Sequence, residues 1–204
     1  MAENNKRFWE RFAKLYRPFM KKHDGLYFVT SEKIASSLTS DMNVLEAACG
    51  SGQFSFLLAE HVRHYEATDF SSAMIDEAGK LPAPDQLRFS VADVTSLPFE
   101  NERFEAVIIA NALHIMPNPD KALKELNRVL KKGGILFAPT FLRGETFLSR
   151  LRIKIIGLAG FKTYSHWTVN ELQEFIENHS FSVNECTVID RSFLPLCYVK
   201  AVKK

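Results

Sequence analysis

Short apolar runs alternate with helix-like segments along the middle of the chain, from Val44 onward. Five of the runs are predicted to be strands: Val44-Leu45, His64 to Thr68, Leu87 to Val91, Ala106 to Ala110 and Ile135 to Ala138. Three of the intervals are predicted to be helical in part: Gln53 to Glu60, Ser72 to Lys80 and Pro119 to Leu130. Strand–helix–strand alternation with short connections implies right-handed crossovers, so the pattern predicts a parallel sheet covered on both faces.

The end of the chain departs from this alternation. A helix predicted at Val169 to Asn178 is followed by two long apolar runs, 182–190 and 194–202, with only three residues between them. Two strands joined this tightly form an antiparallel hairpin, which closes one edge of the sheet. The whole pattern predicts an α/β fold with an open sheet of about seven strands, mostly parallel, and helices on both faces.

Two segments lie outside the sheet pattern. Residues 1–38 precede the first strand and have helical periodicity, and residues 141–166 interrupt the path from the fifth strand to the next helix. Apolar side chains at helical spacing in the first segment predict one docking stripe, made of Phe8, Phe12, Leu15 and Phe19. Since no linker or repeat divides the chain, it is predicted to be one domain, 1–204, with 1–38 as a helical lid and 141–166 as a cap insertion.

Composition narrows the class of protein. Hydrophobic residues make up 46% of the chain and the formal net charge is +2, which excludes an intrinsically disordered chain and does not indicate a polyanion-binding one. Three cysteines without a C-x-x-C spacing indicate neither a disulfide framework nor a zinc site, so no metal is predicted. The amino-terminal residues lack the apolar core of a secretory signal, and no run approaches the ~20 apolar residues of a membrane span. The expected location is cytoplasmic.

A glycine turn after the first predicted strand is the most informative stretch. It reads Glu46-Ala47-Ala48-Cys49-Gly50-Ser51-Gly52 and leads directly into a predicted helix. Glycines let the backbone turn sharply and approach a ligand, and a helix N-terminus offers free N–H groups. The next predicted strand ends at Asp69, where a carboxylate can accept hydrogen bonds from both hydroxyls of a ribose. The pairing predicts a nucleoside site.

Two residues favour one nucleoside over another. The dinucleotide fingerprint G-x-G-x-x-G/A has a small apolar residue at its third position, where this chain has Ser55. Glu46 ends the first strand just before the turn, and its negative charge would repel a pyrophosphate but suit a cationic ligand. S-adenosylmethionine carries an ammonium and a sulfonium, so the charges favour it over NAD.

Five motifs occur in a familiar order between about residues 40 and 140. They are Glu46 to Gly52 (E-x-x-C-G-x-G), Asp69 to Met74 (D-x-S-x-x-M), Val91 to Val94 followed by Leu97-Pro98-Phe99, Phe104 to Val107 (F-E-x-V), and Arg128 to Gly134 (R-x-L-K-K-G-G, with lysine where proline is usual). This order resembles the class I S-adenosylmethionine-dependent methyltransferase family. The pattern F-W-x-x-x-A-x-x-Y ending at Tyr16 is similar to its small-molecule branch, which includes ubiquinone-type methyltransferases. The resemblance implies a Rossmann-like sheet and methyl transfer to a small molecule.

The resemblance also implies a role for each matching position. Eleven residues would bind the cofactor: Tyr16, Glu46, Ala48, Gly50, Gly52, Asp69, Phe70, Met74, Asp93, Val94 and Asn111. Glu46 would hold the methionine amino group, Asp69 the ribose hydroxyls and Asp93 the adenine amino group. Asn111 would lie near the transferring methyl. Other interpretations stay open, since Phe70 and Met74 also suit a core and Asp93 a turn.

A general base is required only if the acceptor atom is protonated, as in a phenol or an enol. His114 is the candidate, because it follows the fourth predicted strand at the edge where such sheets bind ligands. A histidine that only packs over the cofactor is an equally open interpretation.

Charge is distributed unevenly along the chain. Residues 1–33 hold eight Lys and Arg against four Asp and Glu, and residues 143–166 hold five against one. Both segments should frame the substrate mouth, which predicts an apolar or anionic acceptor, or transient contact with an anionic membrane surface. Ordinary solvated lysines explain the same charges. Nucleic acid is not predicted as a substrate, because there is no added basic domain.

Three functions remain open. The first is a methyltransferase that acts on a small molecule with S-adenosylmethionine as cofactor. The second is a nucleoside-binding protein of the same fold without catalysis. The third is an NAD(P)-dependent oxidoreductase, which Glu46 and Ser55 disfavour. The sequence determines neither the acceptor nor the oligomeric state.

Overall fold

Six helices and eight strands are described in the computed structural model, which covers residues 3–21, 24–142, 162–190 and 195–204. The helices are α1 (Glu3–Met20), α2 (Asp24–Ala35), α3 (Ser55–Leu58), α4 (Ser72–Ala78), α5 (Pro119–Val129) and α6 (Val169–Glu177). The strands are β1 (Asn43–Ala47), β2 (His64–Asp69), β3 (Leu87–Val91), β4 (Phe104–Ile108), β5 (Leu130–Phe137), β6 (Thr140–Phe141), β7 (Phe181–Asp190) and β8 (Leu196–Lys203). No helix among the described residues is long and apolar enough to cross a membrane.

One sheet contains all eight strands and confirms the predicted α/β fold. Strands β1 to β5 pair in parallel in the order β3-β2-β1-β4-β5, and β8 is antiparallel to β5. The predicted hairpin is also present, because β7 pairs antiparallel with β8. The two-residue strand β6 pairs with β8 as well. Since β5 and β6 together occupy one edge of β8, β7 must lie along its other edge.

All four helices predicted with bounds end earlier in the structure, and two of these differences change the description of the neighbouring turns. The helix after the glycine turn is a single turn, α3, followed by a 3₁₀ turn over Ala59–His61. Helix α5 ends at Val129, and Leu130 is already extended and begins β5. The pair Gly133-Gly134 therefore lies within a strand rather than at the helix end. A Cβ on Gly134 would meet the Glu105 carbonyl at 2.9 Å, so close packing against β4 requires this glycine.

Side chains of the central strands alternate between two faces, each with its own core. Leu45 packs with α5 and α6 on one face, where Leu126 is fully buried. Val44 packs on the other face with residues of α2 and α3, including the fully buried Ile34. The helices thus cover both faces as predicted.

The docking stripe predicted on α1 is wrong. Leu15 and Phe19 are 62% and 46% exposed, while Ala13 on another face of the helix is buried at 1%. Phe8 and Phe12 are half-buried and stack on each other at 5.7 Å. Because α1 carries aromatic residues on two faces, their spacing alone did not identify the face that docks. The predicted cap insertion, 141–166, lies mostly outside the described residues.

Helix α2 differs from α1 in being part of the core. Its buried side chains are Tyr27, Thr30, Ser31 and Ile34. At its end, Lys33 forms a salt bridge of 2.9 Å with Glu185 on β7 and lies over the Tyr198 ring of β8. These contacts join α2 to the sheet. Helix α1 is the part of residues 1–38 that covers the carboxyl ends of the parallel strands.

Candidate functional site

The glycine turn connects β1 to α3 through a backbone that only certain residues adopt readily. Ala48, Gly50 and Gly52 all have positive φ, at 58°, 57° and 84°. A Cβ on Gly50 would lie 3.1 Å from the Tyr16 ring, and one on Gly52 would lie 3.0 Å from the rings of Phe56 and Phe89. Glycine relieves both the conformational strain and the crowding, whereas Ala48 retains the strain, a feature often found at functional sites.

Asp69 ties this turn to the end of β2. Its Oδ2 accepts a hydrogen bond of 2.9 Å from the Gly50 N–H, and its Oδ1 accepts one of 2.9 Å from the Ser71 N–H. The side chain is 5% exposed, and burial raises the pKa of Asp69 to about 6 against the lowering effect of these donors. Each carboxylate oxygen keeps a lone pair for a further donor. Asp69 therefore stabilises the turn through hydrogen bonds and also offers acceptor oxygens to the adjoining cavity.

Glu46 lies beneath the turn rather than at the cavity wall. It is 2% exposed, and its Oε2 accepts hydrogen bonds from Ser55 Oγ at 2.5 Å and Tyr65 Oη at 3.0 Å. Burial raises the pKa of Glu46 to about 7, although these two hydrogen bonds lower it. The sequence analysis missed Tyr65 and treated Ser55 only as a departure from the dinucleotide fingerprint. In the structure, both hold the Glu46 carboxylate.

A cavity opens where the carboxyl ends of β1, β2 and β4 meet. Its volume is about 60 Å³, and the space between its walls is about 530 Å³ when the open mouth is included. Seven of the eleven predicted cofactor residues line it: Tyr16, Ala48, Gly50, Asp69, Phe70, Met74 and Asn111. The other lining residues are Trp9, Ala110, Ala112, Ile115 and Met116. Sequence reasoning assigned none of these five to the site. Ile115 lies in the 3₁₀ turn Leu113–Ile115 after β4 and Met116 follows it, where no helical or strand periodicity marks them.

Four predicted cofactor residues do not line this cavity: Glu46, Gly52, Asp93 and Val94. Asp93 follows β3, and its Oδ1 accepts hydrogen bonds from Thr95 N–H at 2.9 Å and Thr95 Oγ at 2.8 Å. Val94 is buried in the core at 3% exposure. Both lie at the same carboxyl edge of the sheet as Asp69, two strands away from β1.

Asn111 and His114 follow β4 and carry unpaired polar atoms. Asn111 has a φ of 54°, and its N–H donates to the Pro139 carbonyl at 2.7 Å. Among the described residues, Asn111 Oδ1 and His114 Nδ1 are the two buried side-chain atoms without a hydrogen-bond partner. Such atoms are costly unless a ligand or water meets them. Asn111 lines the cavity, so its unpaired oxygen points to a ligand there, whereas His114 is not among the lining residues.

The His114 ring is buried and neutral at physiological pH. It is 7% exposed and contacts the Phe141 ring edge-to-face at 5.9 Å. Burial lowers the pKa of His114 to about 4, and the nearby His166 lowers it further. The neutral ring can donate or accept one hydrogen bond through Nδ1, according to its tautomer, but it is a weak base.

Helix α1 covers the cavity and is attached to the glycine turn. The Arg17 guanidinium donates to the Ser51 carbonyl and lies 5.6 Å from the Phe56 ring centre. Burial raises the pKa of Tyr16 to about 12, so its hydroxyl stays protonated. The Tyr27 hydroxyl, which the sequence analysis did not consider, hydrogen-bonds to the side chains of Tyr16 and Asn111. The cover is thus connected to both walls of the cavity.

Comparison with known proteins gives a consistent picture. A family profile described as "Methyltransferase domain" matches residues 45–138. The demethylmenaquinone methyltransferase of Clavibacter sepedonicus is 36% identical over 113 residues, which are 55% of this chain and 46% of that protein. The ubiquinone/menaquinone biosynthesis C-methyltransferase UbiE of Rhizobium rhizogenes is 31% identical over 162 residues, or 74% and 58% of the two chains. The chain spans about half the length of the curated relatives it matches.

Solved structures extend the similarity of fold to the whole chain. A protein solved in complex with the Trm112 methyltransferase activator from Haloferax volcanii superposes with a TM-score of 0.80. The superposition covers 96% of this chain and 98% of the other, at 19% sequence identity. At that identity, the similarity establishes the fold alone.

Proposed function

We propose that the chain is a class I S-adenosylmethionine-dependent methyltransferase of the ubiquinone-biosynthesis-like branch, which the matched profile and relatives support. We propose further that it transfers a methyl group from S-adenosylmethionine to a small-molecule acceptor. The observation that carries the proposal is the junction of Asp69 with the glycine turn at the cavity. It places a carboxylate, a strained backbone and an apolar wall at one sheet edge, as a nucleoside requires.

The residues at this edge fit the cofactor group by group. Asp69 offers a carboxylate to the ribose hydroxyls, and Phe70 and Met74 offer an apolar wall to the adenine. The unpaired Asn111 Oδ1 is an acceptor for the methionine ammonium. Glu46 lies beneath the turn without lining the cavity, and because its pKa is about 7, its carboxylate attracts the cation increasingly as pH rises through 7.

The protein's contribution to the reaction is binding, orientation and exclusion of water. When bound, S-adenosylmethionine supplies a methyl group on a sulfonium that is itself the leaving group. Orientation of the two reactants can then provide much of the acceleration. Trp9 and Tyr16 on α1 close the cavity above Asn111, which keeps water from the reacting atoms.

The acceptor proposed here is apolar or anionic. Trp9, Ile115 and Met116 form an apolar part of the cavity beside Asn111. His114, which we propose as the residue that meets the acceptor, is neutral and therefore suits a hydroxyl that it can orient by a hydrogen bond. As a base it would require an acidic acceptor, because the pKa of its conjugate acid is about 4.

Calorimetry with S-adenosylhomocysteine and NAD tests the choice of cofactor. At pH 8 we expect S-adenosylhomocysteine to bind and NAD not to bind, because Glu46 and Asp69 are then ionised and repel a pyrophosphate. Micromolar binding of NAD without a response to S-adenosylhomocysteine would overturn the proposal in favour of an oxidoreductase.

A labelling experiment separates the enzyme from a silent binding protein. The protein is incubated with methyl-labelled S-adenosylmethionine and, in parallel, with hydroquinones, phenolic acids and small amines. Label is expected in the hydroquinone or phenolic acid samples. Binding of S-adenosylhomocysteine without label in any sample or in a small-metabolite extract would favour the nucleoside-binding protein instead.

A further inference from the structure

The two cysteines of the carboxy-terminal hairpin lie side by side. Cys186 on β7 and Cys197 on β8 bring their sulfur atoms to 3.3 Å. Both are free thiols, Cys197 fully buried and Cys186 half-buried. They lie far along the sheet from the glycine turn, and the proposed methyl transfer uses neither.

The strand register explains how the two thiols meet. Cys186 is opposite Val199, and Val188 is opposite Cys197, so the cysteines are diagonal neighbours on one face of the ladder. Diagonal neighbours in an antiparallel pair have Cα atoms roughly 7–8 Å apart, beyond the ~4.4–6.8 Å that disulfides usually span, so closure requires backbone movement. A bond between them would therefore pull on the hairpin. Strained disulfides of this kind have higher reduction potentials and are the reversible ones.

The environment of the pair assigns a different chemical role to each sulfur. β7 pairs only with β8 among the described strands, so Cys186 lies on an edge strand, and its side chain is partly exposed to solvent. The hydrogen bond with Cys197 lowers the pKa of Cys186, and the same contact raises the pKa of Cys197. The exposed sulfur is thus the one that reacts first, and the buried sulfur is placed to resolve it.

We propose that Cys186 and Cys197 are a reversible oxidation site that closes to a disulfide when hydrogen peroxide is present. The Cys186 thiolate attacks one peroxide oxygen, the O–O bond breaks, and the departing hydroxide takes up a proton as water. The Cys197 sulfur then attacks the sulfenic acid, the S–S bond forms, and the S–O bond breaks. The hydroxide released takes the Cys197 proton as a second water. Two thiols are oxidised by two electrons and one peroxide is reduced to two waters.

Closure has a route to the candidate site. Cys197 is paired with Thr140 of β6, and the next residue, Phe141, contacts the His114 ring at 5.9 Å. A displacement of β8 on closure would therefore be transmitted through β6 to His114, the side chain that we propose meets the acceptor.

Peptide mapping of the full chain tests the site directly. The reduced protein is treated with hydrogen peroxide, alkylated and digested with trypsin, which releases Cys186 in 163–191, Cys197 in 192–200 and Cys49 in 34–63. We expect peptides 163–191 and 192–200 to be linked, with a mass two hydrogens below their sum. Millimolar reduced glutathione should open the link again. A link that appears only after denaturation, a link to 34–63, or a link that resists glutathione would overturn the proposal.

Matched variants separate the pair from general oxidation of the chain. Cys49→Ser removes the third, fully unrelated thiol and should retain the link. Cys186→Ser should abolish it and leave Cys197 alkylatable after denaturation, and circular dichroism checks that the variant is folded. Sulfinic acid on Cys186 of the wild-type protein, with Cys197 still a free thiol, would contradict the resolving role of Cys197.

A resonance of the His114 ring reports whether closure reaches the site. The ring C–H signal, assigned by its loss in His114→Gln, is expected to shift between the reduced and the peroxide-treated protein and to return with glutathione. The shift should be absent in Cys186→Ser. An unchanged signal in a protein shown to be linked would contradict transmission through β6.

Discussion

At the scale of single residues, Asp69 has two functions that compete for one carboxylate. It accepts hydrogen bonds from the backbone of the glycine turn and, in our proposal, from a ribose as well. Its burial and raised pKa are acceptable only because these donors compensate part of the lost hydration. A side chain without charge can preserve the turn in part, but not the affinity for the nucleoside.

Substitution of Asp69 tests this double role. We expect Asp69→Ala to weaken the binding of S-adenosylhomocysteine by ~2–4 kcal/mol, because it removes a charged acceptor of two hydrogen bonds. Asp69→Asn keeps one acceptor oxygen and should lose less. Calorimetry measures both values, and Asp76→Asn, on an exposed carboxylate of α4, is the matched control. Unchanged affinity in both Asp69 variants would mean that Asp69 does not contact the ribose.

A second prediction at the residue scale concerns the ionisation of His114. Because burial lowers the pKa of His114 to about 4, its ring should remain neutral from pH 6 to 8. We expect an NMR titration of the ring to show protonation only near pH 4, and turnover to show no ionisation near pH 6.5. His114→Gln should reduce turnover by ~10²-fold with unchanged affinity for S-adenosylhomocysteine. A ring that titrates near pH 6.5 would show that the buried, neutral environment is wrong.

At the scale of elements, the two amino-terminal helices have different attachments. Helix α2 has a fully buried Ile34 and a salt bridge from Lys33 to the sheet. Helix α1 packs on α4, and among its described side chains the buried one is the small Ala13; Arg17 joins the helix to the glycine turn, and Trp9 and Tyr16 lie over the cavity. We therefore propose that the mobile lid predicted for residues 1–38 is limited to α1.

Hydrogen exchange with and without S-adenosylhomocysteine tests the lid. Amide exchange in residues 8–20 is expected to slow on binding, more than in α2 or the central strands, because a ligand in the cavity adds contacts to a helix whose one buried side chain among those described is the small Ala13. Equal protection with and without ligand would make α1 a static cover.

Arg17 provides a sharper version of the same experiment. Arg17→Met keeps the apolar stem but removes the donor to the Ser51 carbonyl, so exchange in α1 should become faster without ligand. Lys14→Met, at an exposed position of the same helix, is the control and should leave exchange unchanged. Deletion of residues 1–20 should abolish turnover and leave a folded protein that binds the cofactor more weakly.

At the scale of the whole molecule, buried ionisable groups make stability depend on pH in opposing directions. Glu46 has a raised pKa of about 7, so the folded state holds a proton that the unfolded chain has already released above pH 4.5. Its contribution is present at low pH and is lost as pH rises toward 7. His114, with a lowered pKa of about 4, has the opposite effect. Between pH 4 and pH 6.5 the unfolded chain binds a proton on this ring and the folded state does not, so stability falls as pH falls.

Denaturant unfolding between pH 5 and pH 8 separates the two contributions. Relative to the wild-type protein, the unfolding free energy of Glu46→Gln should increase by about 3 kcal/mol as pH rises over this range. The reason is that the variant lacks the stabilising contribution of Glu46 that the wild-type protein loses as pH rises. The unfolding free energy of His114→Gln should decrease by about 2 kcal/mol relative to the wild-type protein as pH rises over the same range. Differences that do not change with pH would show that neither group has a shifted pKa in the folded protein.

The sequence by itself determined the sheet and the residues that meet at its edge. The alternation of apolar runs and helices leaves few arrangements, because short right-handed crossovers place successive strands in parallel with their carboxyl ends together. The glycine turn at Gly50 and the strand end at Asp69 were paired from local signals, since each depends on a strand end and a turn. Asn111 was implied by the resemblance to the methyltransferase family, and all three line one cavity.

Only the tertiary structure decided which face of α1 docks, where Glu46 lies and which thiols meet. Aromatic residues occur on two faces of α1, and the choice depended on the shape of the cavity that Trp9 and Tyr16 cover. The place of Glu46 depended on Tyr65, nineteen residues away and brought near by the pairing of β1 with β2. The contact of Cys186 with Cys197 depended on the register of the hairpin, which side-chain periodicity does not specify to within two residues. These features arise from packing between segments distant in sequence, and no local pattern encodes that packing.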